Sequence, residues 1–207
     1  VKARKAQKHA VSDWMEIEKQ RGISVTSSVL QFDYNGYRIN ILDTPGHQDF
    51  SEDTYRTLMA ADSAVMLIDV AKGVEEQTKK LFYVCKQRGI PVFTFVNKLD
   101  RYGKNPFELM EEIENVLGIR AYPMNWPVGV DGDYQGVYNR KLARIELFEG
   151  KGNHGSTAMA SKAGDVHDPE FKALLGETIH NALCEDIELL DMAGDQFDFA
   201  KVKSGEL

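Results

Sequence analysis

The chain contains the stretch Ile39-Asn40-Ile41-Leu42-Asp43-Thr44-Pro45-Gly46-His47, in which a short apolar run ends in an acid, a Thr-Pro turn, a glycine and a histidine. The pattern predicts a buried strand that stops at Asp43 and breaks into a loop. Such a strand delivers a carboxylate and a bare backbone amide to one edge of a sheet. Because ligands of open α/β sheets bind at the carboxyl ends of the strands, this stretch predicts a ligand site at that edge.

The residues around this stretch predict an α/β fold with a mostly parallel sheet. Asn35-Gly36 favours a two-residue turn that pairs residues 23–34 with residues 37–43 as an antiparallel hairpin at the edge. Apolar runs at 64–69 and 91–97 are each followed by a helical pattern. Strands that alternate with helices at this spacing predict parallel strands joined by right-handed crossovers.

Three of the predicted strands end in a polar residue, namely Asp43, Asp69 and Asn97. Because the carboxyl ends of parallel strands meet at one edge, we expect these three side chains to gather there. The run at 64–69 is apolar on both faces, which predicts that helices cover both sides of the sheet.

The character of the sequence changes at about residue 121. Short β-rich runs with glycine-rich turns occupy residues 126–148, and small and polar residues at 150–165 predict a loop. Asp168-Pro169 then predicts the start of a helix that extends to Cys184, followed by shorter helices. We expect an α+β subdomain appended to the sheet.

The composition indicates an ordinary globular protein and argues against several other classes of protein. The 207 residues are 43% hydrophobic and 28% charged, as in ordinary globular proteins, and the formal net charge is -7. This charge argues against unspecific nucleic-acid binding by the whole fold, although a local patch suffices for a large RNA-containing partner. Cys85 and Cys184 lack the spacing of a zinc site or a disulfide framework, and no run of about 18 apolar residues predicts a membrane span. We therefore expect a cytoplasmic protein.

A second motif, Asn97-Lys98-Leu99-Asp100, ends the apolar run at 91–97. Asp100 can accept hydrogen bonds from N1–H and the exocyclic amine of guanine, and Asn97 can serve the other edge of the base. The stem of Lys98 can pack along the base plane. Adenine would leave the carboxylate unpaired, at a cost of roughly a few kcal/mol.

By itself the four-residue motif also fits a surface turn after a strand. It lies, however, on the same predicted sheet edge as the 43–47 loop. One loop would then serve Mg²⁺ and the terminal phosphate, and the other would read the base. The pair therefore favours a guanine-nucleotide site over coincidence.

These motifs resemble those of the translational GTPases. The 43–47 loop is similar to their phosphate motif, and Asn97-Lys98-Leu99-Asp100 is similar to their base motif. Arg21-Gly22-Ile23-Ser24 resembles the end of their first switch loop. The resemblance is dense through residues 12–130, and within it the stretches at 12–28 and 49–58 are most similar to a member that acts in termination.

The resemblance implies a P-loop-NTPase-like fold with two parts. Residues 1–120 would form a partial GTP-binding domain that lacks the phosphate loop. Residues 121–207 would form an insert subdomain and C-terminal helices of the GTP-binding domain, and end before the last guanine-binding loop.

The resemblance also implies roles for individual residues. Ser24 and Asp43 would hold Mg²⁺, and the amide of Gly46 would bond to the γ-phosphate. Thr44 and Pro45 would belong to the same nucleotide-binding loop. His47 would orient the attacking water. The base would be contacted by Asn97, Lys98 and Asp100.

The implied activity is that of a translation factor that hydrolyses GTP on the ribosome during termination and promotes the recycling of class I release factors. Its ligands would be GTP or GDP and Mg²⁺, and its partners would be ribosomal RNA and ribosomal proteins. The protein would be a monomer that makes no contact with a membrane.

Two alternatives remain open. The chain is also compatible with a fragment of the GTP-binding domain of elongation factor G or of a ribosomal protection GTPase, and with a non-enzymatic fragment that binds a partner but no nucleotide.

The phosphate-binding string G-x-x-x-x-G-K-[S/T] does not occur in the 207 residues. In translational GTPases this string precedes the first switch loop, so we expect it upstream of Val1 in a longer protein. Its backbone amides and lysine supply most of the phosphate contacts. We therefore expect the 207 residues alone to bind GTP weakly or not at all.

Overall fold

The computed structural model describes residues 27–44, 51–148, 160–194, 196–204 and 206. The strands within these residues are β1 (Ser28–Tyr34), β2 (Tyr37–Asp43), β3 (Ala64–Asp69), β4 (Val92–Asn97), β5 (Asn125–Val128), β6 (Gly136–Asn139), β7 (Arg144–Leu147) and β8 (Ala160–Ala163). The helices are α1 (Ser51–Leu58), α2 (Glu76–Gln87), α3 (Pro106–Leu117), α4 (Pro169–Leu175), α5 (Glu177–Ala193) and α6 (Phe199–Ser204), with a 3₁₀ turn at Asp131–Asp133. None of the described helices combines the length and apolar character needed to cross a membrane.

The predicted hairpin is confirmed by β1 and β2. Asn35 and Gly36 have φ angles of 48° and 82°, the left-handed conformation that a tight hairpin turn requires at both central positions. The strands pair antiparallel, and Ser28 lies opposite Asp43 at the open end of the hairpin. The hairpin therefore places Asp43 at the point where β2 stops.

The predicted parallel strands are confirmed by β3 and β4. Their register runs from Ala64 opposite Val92 to Asp69 opposite Asn97, and α2 forms the crossover between them. One face of this pair lies in a core with side chains from α2 and α3. The buried members of this core are Ile68, Val70, Phe82, Leu109, Ile113 and Leu117.

The expected arrangement, one mostly parallel sheet with a hairpin edge, is not confirmed within the described residues. There β1–β2 and β3–β4 form two separate two-stranded sheets, and β5–β8 form a third. A sheet is continuous only where neighbouring strands exchange backbone hydrogen bonds, and no described strand pairs with both β2 and β3.

The described helices do not cover both faces of β3 and β4, in contrast to the expectation. Val65, Leu67, Phe93 and Phe95 alternate with the buried positions and are 50–62% exposed. Side chains alternate between the two faces of a strand, and the described helices pack against only one of those faces.

The insert subdomain has its own core. Its strands, which follow the change of character at about residue 121, form an antiparallel sheet in the order β5-β6-β7-β8. Its core includes Trp126, Val128, Ile145 and Phe171, each at most 3% exposed. Helices α4 and α5 complete the core.

Two sequence-based boundaries in this subdomain are wrong. Residues 160–163, expected in a loop, form β8 against β7, because ladder hydrogen bonds come from the backbone and do not need apolar side chains. The helix expected to run from Asp168-Pro169 to Cys184 is broken at Gly176, whose φ of 82° is not helical, and α5 continues to Ala193. The remaining part of the expected loop, residues 150–159, lies outside the described residues.

Helix α3 joins the two cores. Leu109, Ile113 and Leu117 are buried in the core beside β3 and β4. Phe107 and Met110 pack instead against the core of the insert subdomain. Because α3 begins directly after the loop that follows β4, this shared helix positions that loop relative to both units.

Candidate nucleotide-binding site

The motif at residues 97–100 forms a loop at the end of β4. Asn97 is the last strand residue, and Lys98 turns the chain with a φ of 67°. The backbone N–H of Lys98 donates to Oδ1 of Asn97 at 2.9 Å, and the N–H of Arg101 donates to the carbonyl of Lys98 at 2.9 Å. Asn97, Lys98 and Asp100 are all exposed, so the loop presents their polar groups to solvent.

An ion pair between neighbouring strand ends holds Lys98. Its Nζ lies 2.6 Å from Oδ2 of Asp69, and the N–H of Ala71 donates to Oδ1 of the same carboxylate at 2.9 Å. The hydrogen bond from Lys98, followed by that from Ala71, lowers the pKa of Asp69. Asp69 therefore stays charged and holds the Lys98 ammonium at the edge of the sheet.

The sequence predicted the position of Asp69 at the sheet edge but not its ion pair with Lys98. The sequence places Asp69 at the same sheet edge as Asn97, and the structure confirms this because the two are register partners. The pairing of Asp69 with Lys98 was not predicted. The available signal was an acid at the end of one strand beside a lysine just after the next.

The loop returns to the sheet through Gly103 and Lys104. The N–H of Lys104 donates to the carbonyl of Val70 at 3.0 Å. A Cβ on Gly103 would lie 2.7 Å from a methyl group of Val70, so this position has no room for a side chain. Lys104 Nζ also pairs with Glu112 Oε2 at 2.5 Å, which lowers the pKa of that carboxyl.

The insert subdomain contacts the same loop. Oδ1 of Asp131 accepts a hydrogen bond from the N–H of Gly103 at 3.1 Å. The pKa of Tyr134 is raised to about 12, mainly by burial of its side chain and to a smaller extent by the negative charge of Asp100. Neither contact has a signal in the local sequence, because helix α3 and strand β5 lie between the partners along the chain.

The phosphate side of the candidate site is described only in part. Asp43 and Thr44 are half-buried at the end of β2. Ser24, Pro45, Gly46 and His47 lie outside the described residues. Within the described part of the chain, no hydrogen bond or ion pair joins Asp43 or Thr44 to the 97–100 loop, and β2 belongs to a separate sheet. The structure thus brings residues 97–100 together in one loop, and within the described residues nothing joins this loop to Asp43 or Thr44.

The described residues offer an oxygen donor that fits a Mg²⁺ ion whose other ligands come mainly from a bound nucleotide. In the described residues, no group of three His, Cys, Asp or Glu side chains could hold a metal ion. Mg²⁺ in nucleotide sites takes one or two protein oxygens beside phosphates and water. The half-buried carboxylate of Asp43 is a hard oxygen donor of that kind.

A comparison with known protein families shows the family to which the chain belongs. Residues 1–200 match the family model described as the elongation factor Tu GTP binding domain. The chain therefore belongs to the family of elongation factor Tu GTP-binding domains.

Among curated proteins, the chain is 64% identical over 207 residues to peptide chain release factor 3 of Symbiobacterium thermophilum. It is 57% identical over 206 residues to peptide chain release factor 3 of Enterococcus faecalis. Both alignments cover all of this chain and 39% of the relative, so the chain spans about two fifths of the length of these proteins.

A solved structure supports the fold. A crystal structure of a protein from Thermus thermophilus superposes with a TM-score of 0.69 and covers 95% of this chain and 30% of its own. The sequence identity is 21%, so this likeness concerns the fold alone.

Proposed function

We propose that this chain is the guanine-nucleotide-binding part of a GTPase that acts on the ribosome in translation termination. The observation that carries the proposal is the Asn97-Lys98-Leu99-Asp100 loop at the end of a parallel strand, with Lys98 paired to Asp69. Curated relatives at 53–64% identity are named peptide chain release factor 3, which favours termination over translocation or ribosomal protection.

The geometry of the loop fits guanine chemically. Because Oδ1 of Asn97 accepts a bond within the loop, the NH₂ half of its amide is the half left for the base. O6 and N7 of guanine are acceptors, so a donor suits that edge. The exposed carboxylate of Asp100 suits the donors on the opposite edge, N1–H and the exocyclic amine.

For the phosphate side we propose the roles that the family resemblance implies. Phosphoryl transfer asks mainly for positioning and charge neutralisation. Ser24 and Asp43 would hold Mg²⁺, which when bound neutralises phosphate charge. The Gly46 amide would bond to the γ-phosphate within the loop that includes Thr44 and Pro45. His47 would orient the attacking water once the ribosome places it.

The proposal extends to the whole protein and its surroundings. We propose GTP and GDP as ligands, ribosomal RNA and proteins as direct partners, and class I release factors as indirect ones. We also propose a cytoplasmic monomer. Residues 1–120 would belong to the GTP-binding domain proper, and residues 121–207 would form its insert subdomain and C-terminal helices.

The proposal is tested by Asp100→Asn in the full-length protein. An asparagine can donate to the C2 carbonyl of xanthine but no longer accepts both guanine donors, so we expect GTP affinity to fall about 10- to 100-fold and XTP affinity to rise. Titration with both nucleotides measures the ratio. Asp133→Asn, the same change on an exposed turn, is the matched control. An unchanged GTP/XTP preference in Asp100→Asn would remove the base-reading role.

A further inference from the structure

The insert subdomain reaches the base-recognition loop through one turn. This turn, residues 129–134, connects β5 to β6, and we call it the brace turn. Its Asp131 accepts the hydrogen bond from Gly103, three residues after Asp100. Its Tyr134 is half-buried, and the charge of Asp100 contributes, after burial, to raising the pKa of Tyr134 to about 12.

The brace turn has a fixed shape. Gly129 has a φ of 73°, and a Cβ there would lie 2.2 Å from the carbonyl oxygen of Asp133. The N–H of Gln135 donates to the carbonyl of Val128 at 2.8 Å, which closes the turn at the base of β5 and β6. Asp131 itself has a φ of 54°, a conformation that aspartate tolerates better than most residues. The closed turn carries Asp131, whose side chain accepts the hydrogen bond from Gly103.

The strand that leads into the brace turn, β5, is packed firmly into the insert subdomain. Val128 is fully buried, and Trp126, on the same strand, donates from Nε1 to Oδ2 of Asp186 on α5 at 2.8 Å. The ring of Trp126 lies 4.7 Å from the ring of Phe107, measured between centroids. Phe107 follows Asn105, which caps α3 where the base-recognition loop ends. The insert subdomain therefore holds the loop at Gly103 and again at the start of α3.

The opposite side of the loop is held by the sheet. Lys104 donates its N–H to Val70, and Gly103 packs against the Val70 side chain. The segment from Gly103 to Lys104 is thus clamped between the end of β3 and the brace turn. Loss of the contact on the insert side would free the segment that leads back to Asp100.

We propose that Asp131 is a positioning residue for guanine recognition, through which the insert subdomain fixes the loop that carries Asp100 and so contributes to base selectivity. This inference rests on the proposed function, because it concerns how the same site reads its base.

The experiment compares GDP with inosine diphosphate, IDP, in the full-length protein. Inosine lacks the exocyclic amine whose hydrogen bond Asp100 would accept, so the GDP/IDP affinity ratio reports the placement of Asp100. Asp131→Gly removes the carboxylate and keeps a backbone that adopts positive φ without strain. Asp131→Asn keeps an Oδ1 acceptor and also tolerates positive φ. Asp133→Ala removes an exposed carboxylate from the same turn and is the control.

We expect Asp131→Gly to lower GDP affinity about three- to ten-fold, the scale of one lost hydrogen bond, and to change IDP affinity less than about two-fold. Asp131→Asn and Asp133→Ala should keep the wild-type ratio. Isothermal titration with each diphosphate measures both affinities.

Three results would overturn the inference alone: a wild-type ratio in Asp131→Gly, an equal loss for GDP and IDP, or an Asp131→Asn protein as impaired as Asp131→Gly. A wild-type protein that binds GDP and IDP equally would instead overturn the guanine-reading function, and the inference with it.

Discussion

The insert sheet and the β3–β4 sheet differ in how their sequences distribute apolar residues. In β7, Arg144 and Glu146 alternate with Ile145 and Leu147, and Ile145 is fully buried. In β3 and β4 nearly every position is apolar, yet only one face is covered by described helices. An alternating strand needs one covering layer, whereas a strand that is apolar on both faces needs two.

This difference shows that equal hydrophobicity does not mean equal burial. Phe171 in the insert core is 0% exposed, and Phe95 on β4 is 58% exposed. A phenylalanine stabilises a fold in proportion to the area it removes from water. The two residues should therefore contribute very differently to the stability of this chain.

The largest expected effect tests this contrast directly. Phe171→Ala should lower the free energy of unfolding of the chain by roughly 3–5 kcal/mol, because it removes a fully buried ring and leaves a cavity. Phe95→Ala, the same change on the exposed face, should cost less than about 1 kcal/mol. Urea unfolding followed by circular dichroism measures both. Equal losses would mean that the β3–β4 face is covered in solution.

A smaller effect is expected from two glycines with positive φ. Gly129→Ala combines an unfavourable backbone conformation with a Cβ 2.2 Å from a carbonyl oxygen, and should cost about 2–3 kcal/mol. Gly118→Ala, at a φ of 65° after α3, meets no atom within 4 Å and should cost about 1 kcal/mol. Thermal or urea unfolding of the matched pair separates steric overlap from backbone strain. A Gly129→Ala protein no less stable than Gly118→Ala would contradict the tight brace turn.

The smallest effect concerns the Asp69–Lys98 pair and its dependence on pH. Since the pairing lowers the pKa of Asp69, its contribution is present above about pH 4, the ordinary range of an aspartate, and is lost as the pH falls further. The urea midpoint of Asp69→Asn should therefore lie slightly below wild type at neutral pH and converge with it in acid. Asp62→Asn, at an exposed carboxylate, serves as the control. A difference that grows in acid would refute the assignment.

Local patterns predicted the elements whose cause is local. Asn35-Gly36 determined the hairpin because few other dipeptides accept left-handed φ at both positions. The alternation of apolar runs and helical patterns predicted the parallel strands β3 and β4, whose ends bring Asp69 and Asn97 to the same edge. Residue chemistry also predicts a base-reading role for residues 97–100, and this role stays a prediction.

Local patterns failed where the cause lies elsewhere in the chain. The strand at 160–163 forms because β7 offers a backbone edge, and its own residues do not indicate a strand. The helix break lies at Gly176, a residue type that weakens a helix without always ending it.

The sequence by itself determined the β1–β2 hairpin, the parallel pair β3–β4 and the polar ends of these strands, because turn chemistry and periodicity are properties of adjacent residues. Only the tertiary structure decided that Asp69 holds Lys98, that Asp131 reaches Gly103, and that one face of β3 and β4 is exposed. The two polar contacts join residues 29 and 28 positions apart. They exist only because packing brings separate elements of the chain together.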